Sequence, residues 1–407
     1  MAITVCRSGR LLAVGVGVLL ITACGGGGGG GGGDAAVATT PTGAEPSSVA
    51  TPGPAPAPAA SASLLTGVSR LVVAGDSLAD VGTFGFKFTV QDASSAVGFS
   101  VLPELVAAAH GLPAGCSHYV DNGAGGVVPR GDSGCTNFAV GGGRILDGDG
   151  PRNIRNQLVD AAAAIGFRAG DLLLVDGGAN DASDLAAGYL GSVGSRTGTL
   201  AFIAFLSRRV ETGDLLDTIR GDDSLARSAN LYMQEAADAL ADSITTNALD
   251  RGAPRVAVLN LPDLTITPRF SSAFERLVQE EGADDANAAR NAVREAIDAF
   301  NVRLQGRLGA DPRVVLVDLR TAVAEHIARA SEFGLSDALH AACPVTGTNS
   351  VGLPEWTLQT CTSTALDAAL PGWKTWAFAD GFHPTPTGHR LLADSVNRAL
   401  AARPVKA

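Results

Sequence analysis

Five short, nearly continuous apolar runs punctuate the chain, at residues 70–74 (RLVVA), 136–140 (TNFAV), 171–176 (DLLLVD), 255–260 (RVAVLN) and 313–318 (RVVLVD). Runs of this length without polar alternation suit strands covered on both faces, which is the habit of parallel sheets. Helical spacing fills the intervals at residues 151–166, 225–250, 289–308 and 386–402, with Met233, Ala236, Ala237 and Leu240 sharing one face of the second. Strand–helix alternation with few hairpin signals predicts an α/β domain: a doubly wound, flavodoxin-like parallel sheet of five strands with helices on both faces. No internal repeat or second composition boundary appears after Ala62, so one domain accounts for the apolar content. Two long irregular stretches, residues 84–134 and 335–379, are expected to decorate it.

The N-terminus obeys other rules. Arg7 and Arg10 precede an apolar run from Leu11 to Ile21, too short to span a bilayer, and Thr22-Ala23-Cys24 closes it. A basic start, a short apolar core and a small residue before the cut describe an export signal. The ending Leu20-Ile21-Thr22-Ala23-Cys24 resembles the bacterial lipobox, whose cysteine is acylated and becomes the first mature residue. An ordinary signal with a chance cysteine is the competing reading. Residues 25–33 are all glycine and 34–62 are mostly Ala, Pro, Thr and Ser, a composition that buries no core and serves as a tether. The expected organisation is therefore a signal at 1–23, a tether at 24–63 and a globular domain at 64–407. Gly25, where aspartate would stand in other lipoproteins, resembles the Gram-negative pattern for the outer membrane.

Loss of Arg7 and Arg10, without any acid, takes the net charge from −11 to −13. That balance argues against nucleic acid and anionic headgroups as partners. Of six cysteines, Cys6 leaves with the signal and Cys24 is the proposed lipid site. The remaining four fall into two close pairs, Cys116 with Cys135 and Cys343 with Cys361, which in an exported protein predicts two local disulfides. No CxxC pair or His–Cys cluster supports a metal.

In a doubly wound sheet, ligands sit beyond the carboxyl ends of the strands. The first strand is followed by Gly75-Asp76-Ser77-Leu78, which exposes a serine on a tight turn; a second copy, Gly131-Asp132-Ser133, follows no apolar run and reads as a plain turn. The second is followed by Gly141-Gly142-Gly143, where glycine lets backbone N–H groups approach a substrate; no Lys-Ser/Thr follows as a P-loop requires. After the third comes Gly177-Gly178-Ala179-Asn180-Asp181, in which Asn180 is either a helix cap or an amide donor to an oxyanion. Near the C-terminus stands Asp380-Gly381-Phe382-His383-Pro384-Thr385. A histidine can take a serine proton near neutral pH, and an aspartate three residues earlier can orient its ring. His110, His118, His326, His340 and His389 are read as lacking such a local partner.

GDSL, NFAVGGG, GGAND and DGFHPT, in this order at strand ends, resemble the four sequence blocks of the SGNH (GDSL) hydrolase family, from about Arg70 to Leu400. Asn260-Leu261-Pro262-Asp263-Leu264 and Phe300-Asn301 look like secondary landmarks of its lipase-like branch. The resemblance implies the SGNH hydrolase fold, Ser77 as nucleophile, Asp380 and His383 as its partners, and an oxyanion hole from Ser77, Gly141 and Asn180. Gly142 takes the place of Gly141 if the alignment slips by one. The rival α/β-hydrolase elbow, G-x-S-x-G, is absent from Gly75-Asp76-Ser77-Leu78-Ala79.

The same resemblance implies a cofactor-free serine esterase or lipase, acting on a small-molecule or lipid ester through an acyl-enzyme. A carbohydrate acetylesterase of the same fold and a catalytically silent binding lipoprotein are the alternatives. Relatives often carry a C-terminal β-barrel; here the last helix ends the pattern, which leaves Cys24 as the expected membrane attachment. Labelling of cells with a fatty-acid analogue is expected to mark the wild type, and Cys24→Ala to release unlabelled protein from the membrane fraction. Equal membrane retention of both proteins would refute the lipid anchor.

Overall fold

A computed structural model describes residues 67–402, apart from 96, 114, 132–133, 220–223 and 350–352. The signal, the tether, Cys24 and the second GDS copy at Ser133 lie outside the described residues. The chain divides into two units, Met1–Pro58 and Ala59–Ala407, and the described residues all belong to the second.

Four parallel strands form the central sheet in the order β1 (Arg70–Ala74), β2 (Asp171–Val175), β3 (Val256–Leu259) and β4 (Val314–Val317). Their side chains alternate between two cores, as strand geometry requires. Val72, Ala74, Leu173, Val175, Val256 and Val258 face one helical layer. That layer holds α2 (Ile154–Ala164), α3 (Ala179–Ser192), α4 (Ser224–Ile244) and α6 (Ala283–Leu308). Leu71, Val73, Leu172, Leu174, Ala257, Val315 and Val317 face the other, where α1 (Leu102–Ala109) and α8 (Pro386–Ala402) pack together. The guanidinium of Arg70 grips Asp171 through Nε and Nη2, at 2.7 and 2.6 Å, and pins the register of β1 on β2.

The fifth expected strand is only half made. Residues 136–140 run beside β1 and exchange three backbone bonds with it: Val73 N to Thr136 O, Phe138 N to Val73 O, and Val140 N to Gly75 O. Only one parallel bridge, Val73 with Asn137, results. The Asn137 side chain accepts from the N–H of Ala139 at 3.0 Å and donates to Ala79 O at 2.8 Å, so the segment folds into a local turn before a regular ladder can form. Counting it second gives the spatial order 2-1-3-4-5, which places the topological switch point at the carboxyl end of β1, where Ser77 stands.

Outside the sheet, Cys116–Cys135 and Cys343–Cys361 are disulfide-bonded. Each closes one of the two irregular stretches. Seven helices among the described residues are not evident from spacing: α1, α3, α5 (Pro268–Glu281), α7 (Leu319–Ala328), Thr212–Ile219, Ser363–Ala369 and Arg196–Leu206, which packs on α3. The second irregular stretch also supplies β5 (Asp337–Ala341), paired in parallel with β6 (Trp376–Phe378), which delivers the chain to residues 380–383.

Candidate active site

The turn after β1 is held from every side. Gln157 on α2 clasps Gly75, accepting its N–H at 2.7 Å and donating to its carbonyl at 2.9 Å. Asp176, at the end of β2, accepts the N–H of Asp76 at 3.0 Å. A β-carbon on Gly75 would stand 1.3 Å from the Asp176 Oδ1 atom, so only glycine fits there. The Asp76 carboxylate accepts the N–H of Leu78 at 3.1 Å and the Asn180 side-chain amide at 3.3 Å. Ser77 emerges from this turn with its side chain toward the opposite wall.

That wall is the turn after β6. His383 Nε2 lies 2.8 Å from Ser77 Oγ, and His383 Nδ1 lies 2.8 Å from Asp380 Oδ2. The other Asp380 oxygen accepts the N–H groups of Phe382 and His383, at 2.7 and 2.6 Å, which fixes the carboxylate in its own turn. Burial works to raise the Asp380 carboxyl, but the charge and hydrogen bonds of His383 outweigh it and hold it below the usual range. Burial works to lower His383, and the adjacent Asp380 charge and hydrogen bond win, leaving the imidazole above its ordinary value. Phe88 packs against the ring at 5.1 Å.

The glycine loop departs from the expected donor. Gly141 donates its N–H to Asp80 Oδ2 at 2.8 Å and is buried under Phe88, whose ring a β-carbon would meet at 2.1 Å. Its amide therefore faces the interior. Gly142, at φ +76°, turns the backbone over; its N–H and that of Ser77 donate to no protein acceptor among the described residues. Asn180 sits in the first turn of α3 and donates to Gly143 O at 3.0 Å as well as to Asp76. Asp181, the next residue, accepts the N–H groups of Ile145 and Leu146, both at 2.9 Å, and burial pushes its carboxyl up to about 6. It thus ties α3 to the glycine loop.

Gln157, Asp80, Asp176 and Asp181 do not stand out in the sequence. Asp80 and Asp181 carry a weak signal, being acids next to proposed site blocks. Gln157, on a helix 82 residues from its partner, carries none.

The histidines need one correction. Asp337 stands three residues before His340 and bonds its Nδ1 at 2.8 Å, the same local arrangement as Asp380 with His383. Exposure separates them: the His340 side chain is 73% exposed and has no serine partner, while that of His383 is 18% exposed. His389 is buried, accepts the Leu102 N–H at Nδ1 and is pushed down to about 3 by burial, so it stays neutral.

Two hollows flank Ser77 and His383. On one side is an apolar pocket of about 100 Å³, walled by Leu78, Leu259, Leu261, Leu264, Val323 and Phe382 among others. Its rim at residues 260–264 is held by Asn301, which bonds both the N–H and the carbonyl of Leu261 at 2.8 Å. The two secondary landmarks thus meet in space. On the other side is an open, more polar cleft of about 600 Å³, bordered by Phe86, Phe88, Arg269, Trp356 and Gln359. The irregular stretches shape this cleft; the pocket is built mainly by the strand ends. Among the described residues no cluster of three metal-ligating side chains exists.

The GDSL-like lipase/acylhydrolase family model matches residues 71–396, and the chain belongs to that family. Its chemistry is ester hydrolysis of the lipase or esterase type. Similar solved structures include two from Streptomyces. Phospholipase A1 from Streptomyces albidoflavus NA297 is 14% identical, with a TM-score of 0.40, over 82% of this chain and 99% of that one. An extracellular lipase from Streptomyces rimosus is 17% identical, with a TM-score of 0.38, over 82% and 100%. No curated protein sequence matches the chain.

The two Asp-x-x-His turns provide an internal control. His340→Ala is expected to leave ester hydrolysis unchanged, and His383→Ala to reduce kcat by at least about 10³-fold without unfolding the protein. Steady-state kinetics and thermal melting of both variants check the pair; a large loss in His340→Ala would reverse the assignment.

Proposed function

We propose that the protein is a serine esterase in which Ser77 is the nucleophile, His383 the general base and acid, and Asp380 its orienting carboxylate. The observation that carries this reading is the relay of two 2.8 Å contacts, Ser77 Oγ to His383 Nε2 and His383 Nδ1 to Asp380 Oδ2. Ser77 attacks the ester carbonyl as His383 takes its proton; the alcohol then leaves with that proton, and water repeats the sequence on the acyl-enzyme.

The oxyanion is received by the N–H groups of Ser77 and Gly142, with the Asn180 amide as third donor. Gly142 replaces Gly141 here because the Gly141 amide is spent on Asp80. Asn180 exchanges its longer bond, to Asp76 at 3.3 Å, for the developing charge. The apolar pocket takes the acyl group and the polar cleft the alcohol. At about 100 Å³ the pocket is smaller than the ~150 Å³ apolar cavity that accommodates benzene, which supports a short acyl chain. The mature chain is proposed to act from a lipidated Cys24 at the outer membrane, as its N-terminal pattern suggests.

The test is p-nitrophenyl esters of graded chain length, with kcat/KM expected to be highest for the shortest chains. Ser77→Ala should be inactive yet folded, and Asn180→Ala should lose about 10²–10³-fold in kcat with little change in KM. A folded Ser77→Ala protein with wild-type turnover would end the serine-esterase reading.

The sign of the pH dependence is set by His383. It must be neutral to accept the serine proton, so activity falls as pH drops through its value. Because that value is raised, the acid limb of kcat/KM is expected above the ordinary histidine value of 6.5. A limb below 6.5 would contradict the Asp380–His383 coupling.

A further inference from the structure

Directly beneath Ser77, two carboxyl groups meet in the interior. Asp76 and Asp176 are 3% and 4% exposed. The backbone N–H of Asp76 donates to Asp176 Oδ1 at 3.0 Å, which joins the two acidic residues in the interior. Two ionised carboxylates on neighbouring residues of a dry site repel each other, so the pair is favoured with a proton on one of them. The Asp76 oxygens already receive Leu78 N–H and the Asn180 amide, and that carboxyl therefore serves as acceptor throughout. Asp176 takes the Asp76 N–H on Oδ1, which leaves Oδ2 for an O–H.

We propose that Asp176 is a positioning residue, a buried carboxylic acid that keeps its proton near neutral pH and donates it to Asp76. Through that bond and the Asp76 N–H it clamps the turn that aims Ser77. Burial raises the Asp76 carboxyl as well, but the Leu78 N–H, His383 and Arg144 work against it and favour its ionised form. Asp263, the other acid on the pocket wall, is engaged by Arg294 and Arg320. Burial is the larger influence on Asp176 and the Asp76 charge the next, and both raise it well above the usual carboxylate range. As pH rises through that value, two like charges would be left facing each other in a dry site, and the clamp opens. Only the kinetic consequences rest on the esterase reading.

Asp176→Asn preserves the shape and both bonds: its oxygen accepts the Asp76 N–H and its amide donates to the Asp76 carboxylate, with no proton to lose. Asp176→Ala removes both. Asp176→Asn is expected to keep kcat within about threefold of wild type and to carry its alkaline limb to higher pH. Asp176→Ala should lose about tenfold or more in kcat with KM little changed, in a protein that still melts cooperatively. Infrared difference spectroscopy gives the second readout: wild type near neutral pH should show the carbonyl stretch of a protonated carboxylic acid, shifted by ¹³C-aspartate labelling and missing in Asp176→Asn. Absence of that band overturns the proposal, as does an Asp176→Asn protein as impaired or as poorly folded as Asp176→Ala. The band needs no turnover. Inactivity on every ester with the band present would instead reject the esterase reading and leave the clamp standing.

Discussion

The main chain at Gly75 can lie where it does because nothing projects from it. Asp176 Oδ1 occupies the space of the missing β-carbon, and Gln157 holds the peptide from the α2 side. Everything downstream inherits that contact. It sets the position of Asp76, whose carboxylate fixes Leu78 N–H and touches Asn180, and it sets the exit of Ser77 from β1. The turn is then closed from the glycine loop by Asp80, which accepts Gly82, Thr83 and Gly141 N–H groups at 2.8 Å. As the proposed nucleophile, Ser77 on so constrained a turn spends little entropy in reaching His383.

The two hollows differ because different parts of the fold make them. The apolar pocket is walled by the carboxyl ends of β1, β2 and β3 and the segments after them, which are buried for reasons of sheet packing and cannot shift without disturbing the core. The cleft is bordered by Phe86 and Phe88 from one irregular stretch and by Thr346, Gly347 and residues 355–359 from the other. The Cys343–Cys361 bond closes the latter, and Trp356 lies against Gly381, where a β-carbon would meet its ring at 2.3 Å. One wall is thus dictated by architecture and the other by stapled loops.

Ser77, Asp380 and His383 are legible in the sequence because each sits in a short motif at a strand end, where neighbouring residues alone define the turn. The sheet is legible as well, since buried strands leave unbroken apolar runs. The fifth strand is overestimated: TNFAV has the composition of a strand, but its asparagine satisfies backbone groups locally and stops the ladder. Choosing between Gly141 and Gly142 needs the location of Asp80, and recognising Gln157 and Asp176 needs contacts spanning 82 and 100 residues. His340 shows the opposite failure. Its local pattern equals that of His383, and only depth and a facing serine tell them apart.

The relay is assembled from parts very unequal in their distance along the chain. Asp380 and His383 belong to one turn, three residues apart, while His383 and Ser77 are separated by 306. A polypeptide emerging N-terminus first presents Ser77 long before His383 exists to face it. The turn at residues 380–383 is steadied by Arg269, whose N–H donates to Gly381 O at 3.0 Å, and is succeeded at once by α8, which seals the core against α1. On the proposed mechanism, a chain that stops before residue 383 holds Ser77 without its base. On that reading, turnover would itself report that the two ends of the domain have been brought together.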